Sequence, residues 1–340
     1  MQKGRSVVLY SHQTPQRLCD FVVMRTSAGL FWYNDMKIKP AKTFEEQVDI
    51  LINEHGLIVE DRKKAIETLR RINYYHLRGY YIHWMDNAQK RFNPGITFEM
   101  ICSLQQFDTD LRCLLMPYLQ KIELSFRTAI AYHIATVHGP MEHLNENIYT
   151  DRQYFQDFRA KLKKEVEESR ELFIKHHGND VEATPIWACI EILSFGSVAF
   201  MYKNLVLKDR QDIAKTFYGV DERILCSYIN AMPYLRNVCA HCGRLYAKWL
   251  TSPIRIKEGT QEIVRKYSGE GFTIRPNLLF AYFLAMRDLL TGTEWQSMTN
   301  ELNALFQKYS HIVEPIRLGF PRRWVDIAEE LYKQSCILDT

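Results

Sequence analysis

The segment LQQFDTDLRCLLMPYLQKIELSFRTA, residues 104–129, carries the strongest structural pattern in the chain. Its apolar residues recur at spacings of three and four, at Leu104, Phe107, Leu111, Leu114 and Tyr118, and then at Leu119, Ile122, Phe126 and Ala129. This period is typical of helices that bury one face, and we assign it to two successive helices. Because no convincing series of alternating strands appears elsewhere, the sequence predicts an all-α fold.

Helix-start signals outside this segment support the same fold class. Thr43 followed by Glu46, and Thr150 followed by Gln153, each have the spacing of a capping box at a helix start. Proline favours the first turn of a helix, so we predict helices over residues 185–205, 233–250, 276–290 and 321–332. Residues 264–276 are rich in glycine and are interpreted as a short hairpin.

Composition limits the classes of function. The net charge of +4 permits RNA binding without indicating it, since a strongly basic face is the usual mark of such proteins. No apolar run reaches the roughly 18–20 residues of a membrane span, and no convincing signal peptide opens the chain. Eight cysteines are too few for a disulfide framework. We therefore expect a cytoplasmic protein with reduced thiols and no membrane partner.

The segment MPYLRNVCAHCGRLY, residues 232–246, combines groups suited to RNA cleavage. His241 can move a proton near neutral pH, and Arg236 can bind a phosphate with several donors at once. Asn237 and His241 are four residues apart, so a helix starting at Pro233 would place them on one face. The alternative interpretation is a core histidine beside a surface arginine.

Spacing alone does not identify this pair. Arg71 and His76 have the same separation, and so do Arg78 and His83. Those two pairs lie in an aromatic stretch from Arg71 to His83. We interpret its tyrosines, Tyr74 to Tyr81, as core packing or, alternatively, as a surface for base stacking. The Cys239-x-x-Cys242 pair has no second pair nearby, so we interpret it as two thiols and predict no metal site.

The Arg236–His241 element resembles the signature of the HEPN ribonucleases, and the whole chain resembles the Abi-like family of abortive-infection proteins, of the AbiD and AbiF type. Seven further segments carry the resemblance in the same order as in the family: TFEEQVDILINEHGL (43–57), INYYHLRGYY (72–81), ITFEMICSLQQFDTDLR (96–112), KIELSFRTAIAYHIA (121–135), PIWACIEILSFGSVAFMYKNL (185–205), PNLLFAYFLAMRDLL (276–290) and LGFPRRW (318–324). The resemblance places the family's Arg-His element on Arg236 and His241.

The resemblance implies a HEPN-like helical bundle with additional N- and C-terminal helices. Residues 39–340 are predicted to form a single all-helical domain with a HEPN-like core at about 97–250. Residues 1–38 match no part of the family. They are interpreted as an N-terminal extension, disordered or upstream of the true start, because Met36 opens a plausible beginning.

The resemblance further implies a metal-independent endoribonuclease toxin of phage defence or of a toxin–antitoxin pair, without a cofactor. RNA supplies its own nucleophile in the 2′-hydroxyl, so His241 would transfer protons, Arg236 would stabilise the phosphate, and Asn237 would orient either group. One histidine cannot easily serve both sides of a phosphate. HEPN-like pairing of two chains in a homodimer would solve this.

Four further residues are predicted to support the site or to contact RNA: Glu123, Arg127, Arg244 and Tyr246. Glu123 and Arg127 are four apart, which fits either an intrahelical ion pair or a polar pair facing the cleft. An antitoxin protein or a small RNA is an expected partner. The alternative function is a non-catalytic RNA-binding or phage-sensing protein with the same fold.

Overall fold

The computed structural model describes residues 21–26, 29–34, 40–86 and 88–338, with side chains over residues 40–86 and 88–334. Within these residues the fold is all-α, as predicted. The helices are α1 Phe44–Asp49, α2 Arg62–Arg71, α3 Tyr74–Tyr81, α4 Phe98–Val137, α5 Arg152–Glu168, α6 Leu172–Lys175, α7 Ile186–Ile192, α8 Phe195–Asn204, α9 Leu207–Tyr218, α10 Glu222–Ala240, α11 Glu258–Ser268, α12 Leu279–Met286, α13 Gly292–Lys308 and α14 Trp324–Leu338.

Short elements link these helices. A π-helical turn, Ile50–Glu54, continues α1, and 3-10 turns occur at Ile82–Trp84, Glu142–Leu144, Glu146–Ile148, Val181–Ala183 and Pro315–Leu318. Two small antiparallel hairpins pair β1 Phe21–Thr26 with β2 Gly29–Asn34, and β3 Met85–Asp86 with β4 Arg91–Phe92. The first hairpin lies within the predicted N-terminal extension. The rest of that extension lies outside the described residues.

Helix α4 is the centre of the bundle. It runs for 40 residues, which corresponds to about 60 Å, and α3, α7, α8, α9, α10 and α13 pack against it. The prediction of two successive helices here was wrong, because Pro117 lies inside one continuous helix. Proline removes one backbone donor, but the helix continues through it, because residues on both sides of Pro117, including Leu111 and Phe126, are buried in the core.

Predicted helix boundaries were less accurate than the fold class. The capping box at Thr43 and Glu46 is confirmed, with both reciprocal hydrogen bonds present. The second box was wrong by one residue, because Asp151 caps α5 while the Thr150 hydroxyl donates to the carbonyl of Asn204. The predicted hairpin at residues 264–276 was also wrong, since α11 continues to Ser268 and turns follow it.

The C-terminal third adds a second part of the same core. Helices α11, α13 and α14 pack together, and an aromatic cluster fills the space between them and α12, composed of Phe280, Phe283, Trp295, Phe306, Phe320 and Trp324. Helix α13 also packs along α4 and so joins this part to the central bundle. Among the described helices, none has both the length and the apolar character needed to cross a membrane.

Candidate active site

The predicted catalytic residues lie at the C-terminal end of α10. The sequence placed a helix over residues 233–250, but α10 begins at Glu222, contains Pro233 in its interior and ends at Ala240. His241 is therefore the C-terminal cap rather than a mid-helix residue, and its backbone N–H donates to the carbonyl of Asn237 at 3.0 Å. The side chains of Asn237 and His241 are exposed, while Arg236 is half-buried.

A tight reversal ends the helix directly after His241. Cys242 has a positive φ of 55°, and the N–H of Gly243 donates to the carbonyl of Val238 at 2.8 Å. A Cβ atom on Gly243 would lie 2.9 Å from Cγ1 of Val238 and 3.0 Å from its carbonyl oxygen. Glycine is required at this close approach, so Gly243 permits the chain to turn back where the helix stops.

Arg236 is held by groups from two other helices. Its Nε lies 3.3 Å from Oε2 of Glu123 on α4, although the two atoms do not align as a hydrogen bond. Its guanidinium carbon lies 5.9 Å from the centroid of the Phe195 ring at the start of α8, a cation–π distance. Within the described part of the chain, no group accepts a hydrogen bond from Arg236. Its outer nitrogens are therefore available to a phosphate.

Glu123 is shared between two arginines. Its Oε1 accepts from Nη2 of Arg127 at 2.6 Å, and Nη1 of Arg127 donates to the carbonyl of Ile190. The pair is thus an intrahelical ion pair, as one interpretation expected, and its carboxylate also reaches Arg236. That the pair faces a cleft stays a prediction. Two guanidinium groups around one carboxylate leave the cluster with a net positive charge.

A buried carboxylate holds the chain that follows His241. Asp108 on α4 is fully buried, and its oxygens accept from the backbone N–H of Leu245 at 3.1 Å and of Tyr246 at 2.7 Å. Nη1 of Arg112 donates to it at 2.6 Å, and the hydroxyl of Tyr80 donates at 2.9 Å. Burial raises the pKa of Asp108, and Arg112 and the two backbone donors oppose that rise.

Asp108 and Arg112 were not among the residues predicted to serve the site. Nη1 of Arg112 also donates to the carbonyl of Gly243 at 3.2 Å, so the pair positions the segment between residues 243 and 246. The sequence did contain a signal for these two residues, because FDTDLR (107–112) belongs to the segment 96–112 that resembles the family. Its role was not evident, because the partner backbone lies more than 130 residues away in sequence.

Two of the predicted supporting residues face inward. Nη1 of Arg244 donates to the carbonyls of Gly79 at 2.6 Å and of Tyr246 at 3.1 Å. Tyr246 is only 1% exposed, and its hydroxyl accepts from the backbone N–H of Glu314. Both residues therefore connect the segment after His241 to the core.

The two other Arg-x4-His pairs differ from the α10 pair in their surroundings. His83 packs against Trp84 and Tyr246, and burial lowers the pKa of His83 to about 4. Burial also lowers the pKa of His76, whose ring packs against Tyr80. In the aromatic stretch, Tyr80 and Tyr81 are buried in the core, whereas Tyr75 is 70% exposed.

The cysteines beside His241 are free thiols. Cys239 is buried, and burial raises the pKa of its thiol to about 12, whereas Cys242 is exposed. One surface cleft is lined in part by Asn230 and Arg255, and a second cleft by Arg71 and Tyr75. Neither cleft is lined by Arg236 or His241. Asn237 and His241 are exposed on the surface of the single chain.

The fold and this site define an all-α protein with an arginine and a histidine at one helix end. A sequence profile described as Abi-like protein matches residues 67–247, more than half of the chain. The chain belongs to the Abi-like family. Searches among curated proteins and among solved structures gave no match. The matched range contains α3 to α10 and every predicted site residue.

Proposed function

We propose that this protein is a metal-independent endoribonuclease that acts as a toxin in phage defence. Membership of the Abi-like family points to abortive infection. The observation that carries the nuclease proposal is the end of α10, where a positioned Arg236 precedes an exposed His241 by one and a half turns. Asn237 lies between them on the exposed surface.

The proposed reaction uses the 2′-hydroxyl of RNA as nucleophile. Its oxygen attacks the adjacent phosphorus while an imidazole of His241 takes its proton, and the bond from phosphorus to the 5′-oxygen breaks as that oxygen gains a proton. The products carry 2′,3′-cyclic phosphate and 5′-hydroxyl ends. Arg236 stabilises the charge that develops on the phosphate oxygens. Proton transfer of this kind contributes about 10²–10⁴-fold to the rate.

We also propose that two chains form the active species. Each chain exposes a single His241, and the reaction needs proton transfer on two sides of one phosphate. Leu124, adjacent to Glu123, and Tyr132, two helical turns further along α4, are both more than half exposed. These side chains offer a second copy apolar surface to bury. A cleft formed between the two chains would bring both copies of His241 to one RNA.

The decisive experiment is incubation of the purified protein with total RNA in the presence of EDTA. We expect cleavage with 5′-hydroxyl and 2′,3′-cyclic phosphate ends, and we expect His241→Ala and Arg236→Ala each to lower the rate at least about 100-fold. His176→Ala is the matched control, because His176 is exposed and lies at the end of α6 rather than on α10. Products with 5′-phosphate ends, or equal cleavage by His241→Ala, would overturn the proposal.

Growth measurements test the toxin role separately. Expression of the intact chain in bacteria lacking an antitoxin protein or small RNA should slow growth, and His241→Ala should relieve the effect at equal protein level. His76→Ala and His83→Ala should remain toxic if they are folded. Relief by a folded His76 or His83 variant, together with toxicity of His241→Ala, would show that another pair is responsible.

Binding of RNA without cleavage is a second candidate, supported by a different surface. A cleft of about 950 Å³ is lined by the basic side chains of Arg71 and Arg78 and by Tyr74 and Tyr75. Tyr75 is exposed while Tyr74 is partly buried, and an exposed aromatic ring beside cations suits single-stranded RNA. If the protein binds RNA without cutting it, and Arg71→Ala with Arg78→Ala weakens that binding, the second candidate replaces the first.

A further inference from the structure

Two histidines and an aspartate converge where α4 ends and α9 begins. Nε2 of His133 lies 3.0 Å from Oδ1 of Asp209, and Nε2 of His138 lies 2.9 Å from Oδ2 of the same carboxylate. One ligand atom from each of the three residues lies within 4.8 Å of the other two. The cluster is separate from Arg236 and His241 and plays no part in the proposed nuclease reaction.

The burial of Asp209 makes this cluster unusual. Its side chain is 3% exposed and that of His133 is 6% exposed, and a buried carboxylate is costly unless a cation or strong donors face it. Within the described residues, no arginine or lysine pairs with Asp209. The neighbouring Arg210 instead binds Glu222 at 2.8 Å. The two imidazoles are therefore the groups that face both oxygens of the carboxylate.

The backbone holds the three side chains in place. His138 is the C-terminal cap of α4, and its backbone N–H donates to the carbonyl of Ile134. Gly139 follows with a φ of 130°. Asp209 lies in the first turn of α9, whose start is fixed by the hydrogen bond from the N–H of Val206 to the carbonyl of Ile148 at 2.9 Å. The ligand atoms thus belong to two rigid helices, and small shifts bring them to coordination distance.

We propose that His133, His138 and Asp209 form a binding site for one zinc ion. Imidazole and carboxylate are ligands that suit zinc, at about 2.0–2.2 Å from the metal. Three protein ligands leave a fourth position for water, and the side chain of His138, 26% exposed, lies on the solvent side. The ion ties the C-terminal end of α4 to α9. Both helices pack against α10, which carries the candidate active site.

The alternative is a hydrogen-bonded clamp in which the Nε2–H group of each imidazole donates a hydrogen bond to Asp209 and no metal binds. The two cases differ in measurable ways. A metal site requires each coordinating nitrogen to be free of its proton, so zinc affinity falls as the pH falls. Cobalt(II) placed in a site of this kind also gives visible d–d absorption, which a clamp does not.

The test uses full-length protein without a polyhistidine tag, stripped with a chelator and titrated with zinc chloride or cobalt chloride. We expect one ion per chain, a visible cobalt spectrum, and a rise in Tm of about 4 °C at a zinc concentration 100 times the dissociation constant. His138→Ala lies at a helix end and should fold normally. It should lose at least about tenfold in zinc affinity and should lose the cobalt spectrum, and Asp209→Asn should do the same.

The matched control is His176→Ala with His177→Ala, which removes two adjacent histidines at the end of α6 that are not part of the cluster. This variant should bind one zinc ion like the intact chain. Absence of a one-to-one complex, or equal binding by intact protein and a folded His138→Ala variant, would overturn the metal site and leave the clamp. Whether or not zinc binds, cleavage of RNA in EDTA should continue below the unfolding temperature. The zinc-site proposal and the nuclease proposal can therefore fail independently.

Discussion

Nε of Arg236 lies 3.3 Å from Oε2 of Glu123, a contact between α10 and α4 that bridges 113 positions of sequence. The same carboxylate accepts from Arg127 at 2.6 Å through its other oxygen. Glu123 therefore positions the guanidinium group without neutralising the cluster. This contact holds the guanidinium group of Arg236 against α4, which the sequence spacing alone does not show.

Removal of the charge on Glu123 should weaken cleavage without unfolding the protein. Glu123→Gln keeps the shape of the side chain but loosens both arginines, and we expect the cleavage rate to fall about tenfold, equivalent to about 1.4 kcal/mol in the transition state. Single-turnover cleavage of a fixed RNA measures this change. Glu182→Gln is the matched control, because Glu182 forms an exposed ion pair with Arg159 and should leave the rate unchanged. An unchanged rate in Glu123→Gln would remove its positioning role.

The number of chains in the active species can be read from mixing experiments. Light scattering should give twice the chain mass of 40.2 kDa. When intact chains are mixed with His241→Ala chains, a site that needs both histidines should lose activity as the square of the intact fraction. A linear loss, or full activity of a dilute monomer, would contradict the shared site while leaving the nuclease proposal in place.

Loss of the Asp108 carboxylate should destabilise the fold strongly. Asp108→Asn breaks a buried ion pair and leaves Arg112 without its charged partner, which costs about 3–5 kcal/mol. Urea unfolding followed by circular dichroism measures the free energy of unfolding. Asp326→Asn is the control, since the Arg323–Asp326 pair is exposed and should contribute less than about 1 kcal/mol. A loss for Asp108→Asn no larger than that of the control would contradict the importance of this buried pair.

His143 should make stability depend on pH. It is fully buried, and burial lowers the pKa of its imidazole to about 4, against about 6.5 in an unfolded chain. Between these values the unfolded chain binds more protons, so the folded state loses stability as the pH falls from 6.5 to 4. This histidine contributes about 3 kcal/mol to that loss.

The pH slope, rather than the absolute stability, is the quantity to compare between variants. In His143→Phe, the slope of unfolding free energy against pH should decrease by up to about 1.4 kcal/mol per pH unit between pH 4 and 6.5. His176→Phe, which changes an exposed histidine, should keep the slope of the intact chain. Equal slopes in intact protein and His143→Phe would show that His143 does not titrate as proposed.

The sequence by itself determined the all-α class, the apolar face of α4 and the helical setting of the Arg236 segment. These features depend on residues within one or two turns of each other, as the capping box at Thr43 shows. The helix boundaries were predicted less well, because a helix end also depends on packing against residues that are distant in sequence. The local signal of Pro233 suggested a helix start, but the proline lies within α10 because its flanking residues pack in the bundle.

Only the tertiary structure decided which distant residues act together. Glu123 with Arg236, Asp108 with the backbone of Tyr246, and His133 with Asp209 are separated by 76 to 138 positions. No local pattern encodes these contacts, since each depends on how α4 packs against α9, α10 and the segment after His241. The sequence supplied the chemical groups, and the packing of helices set their distances, burial and partners.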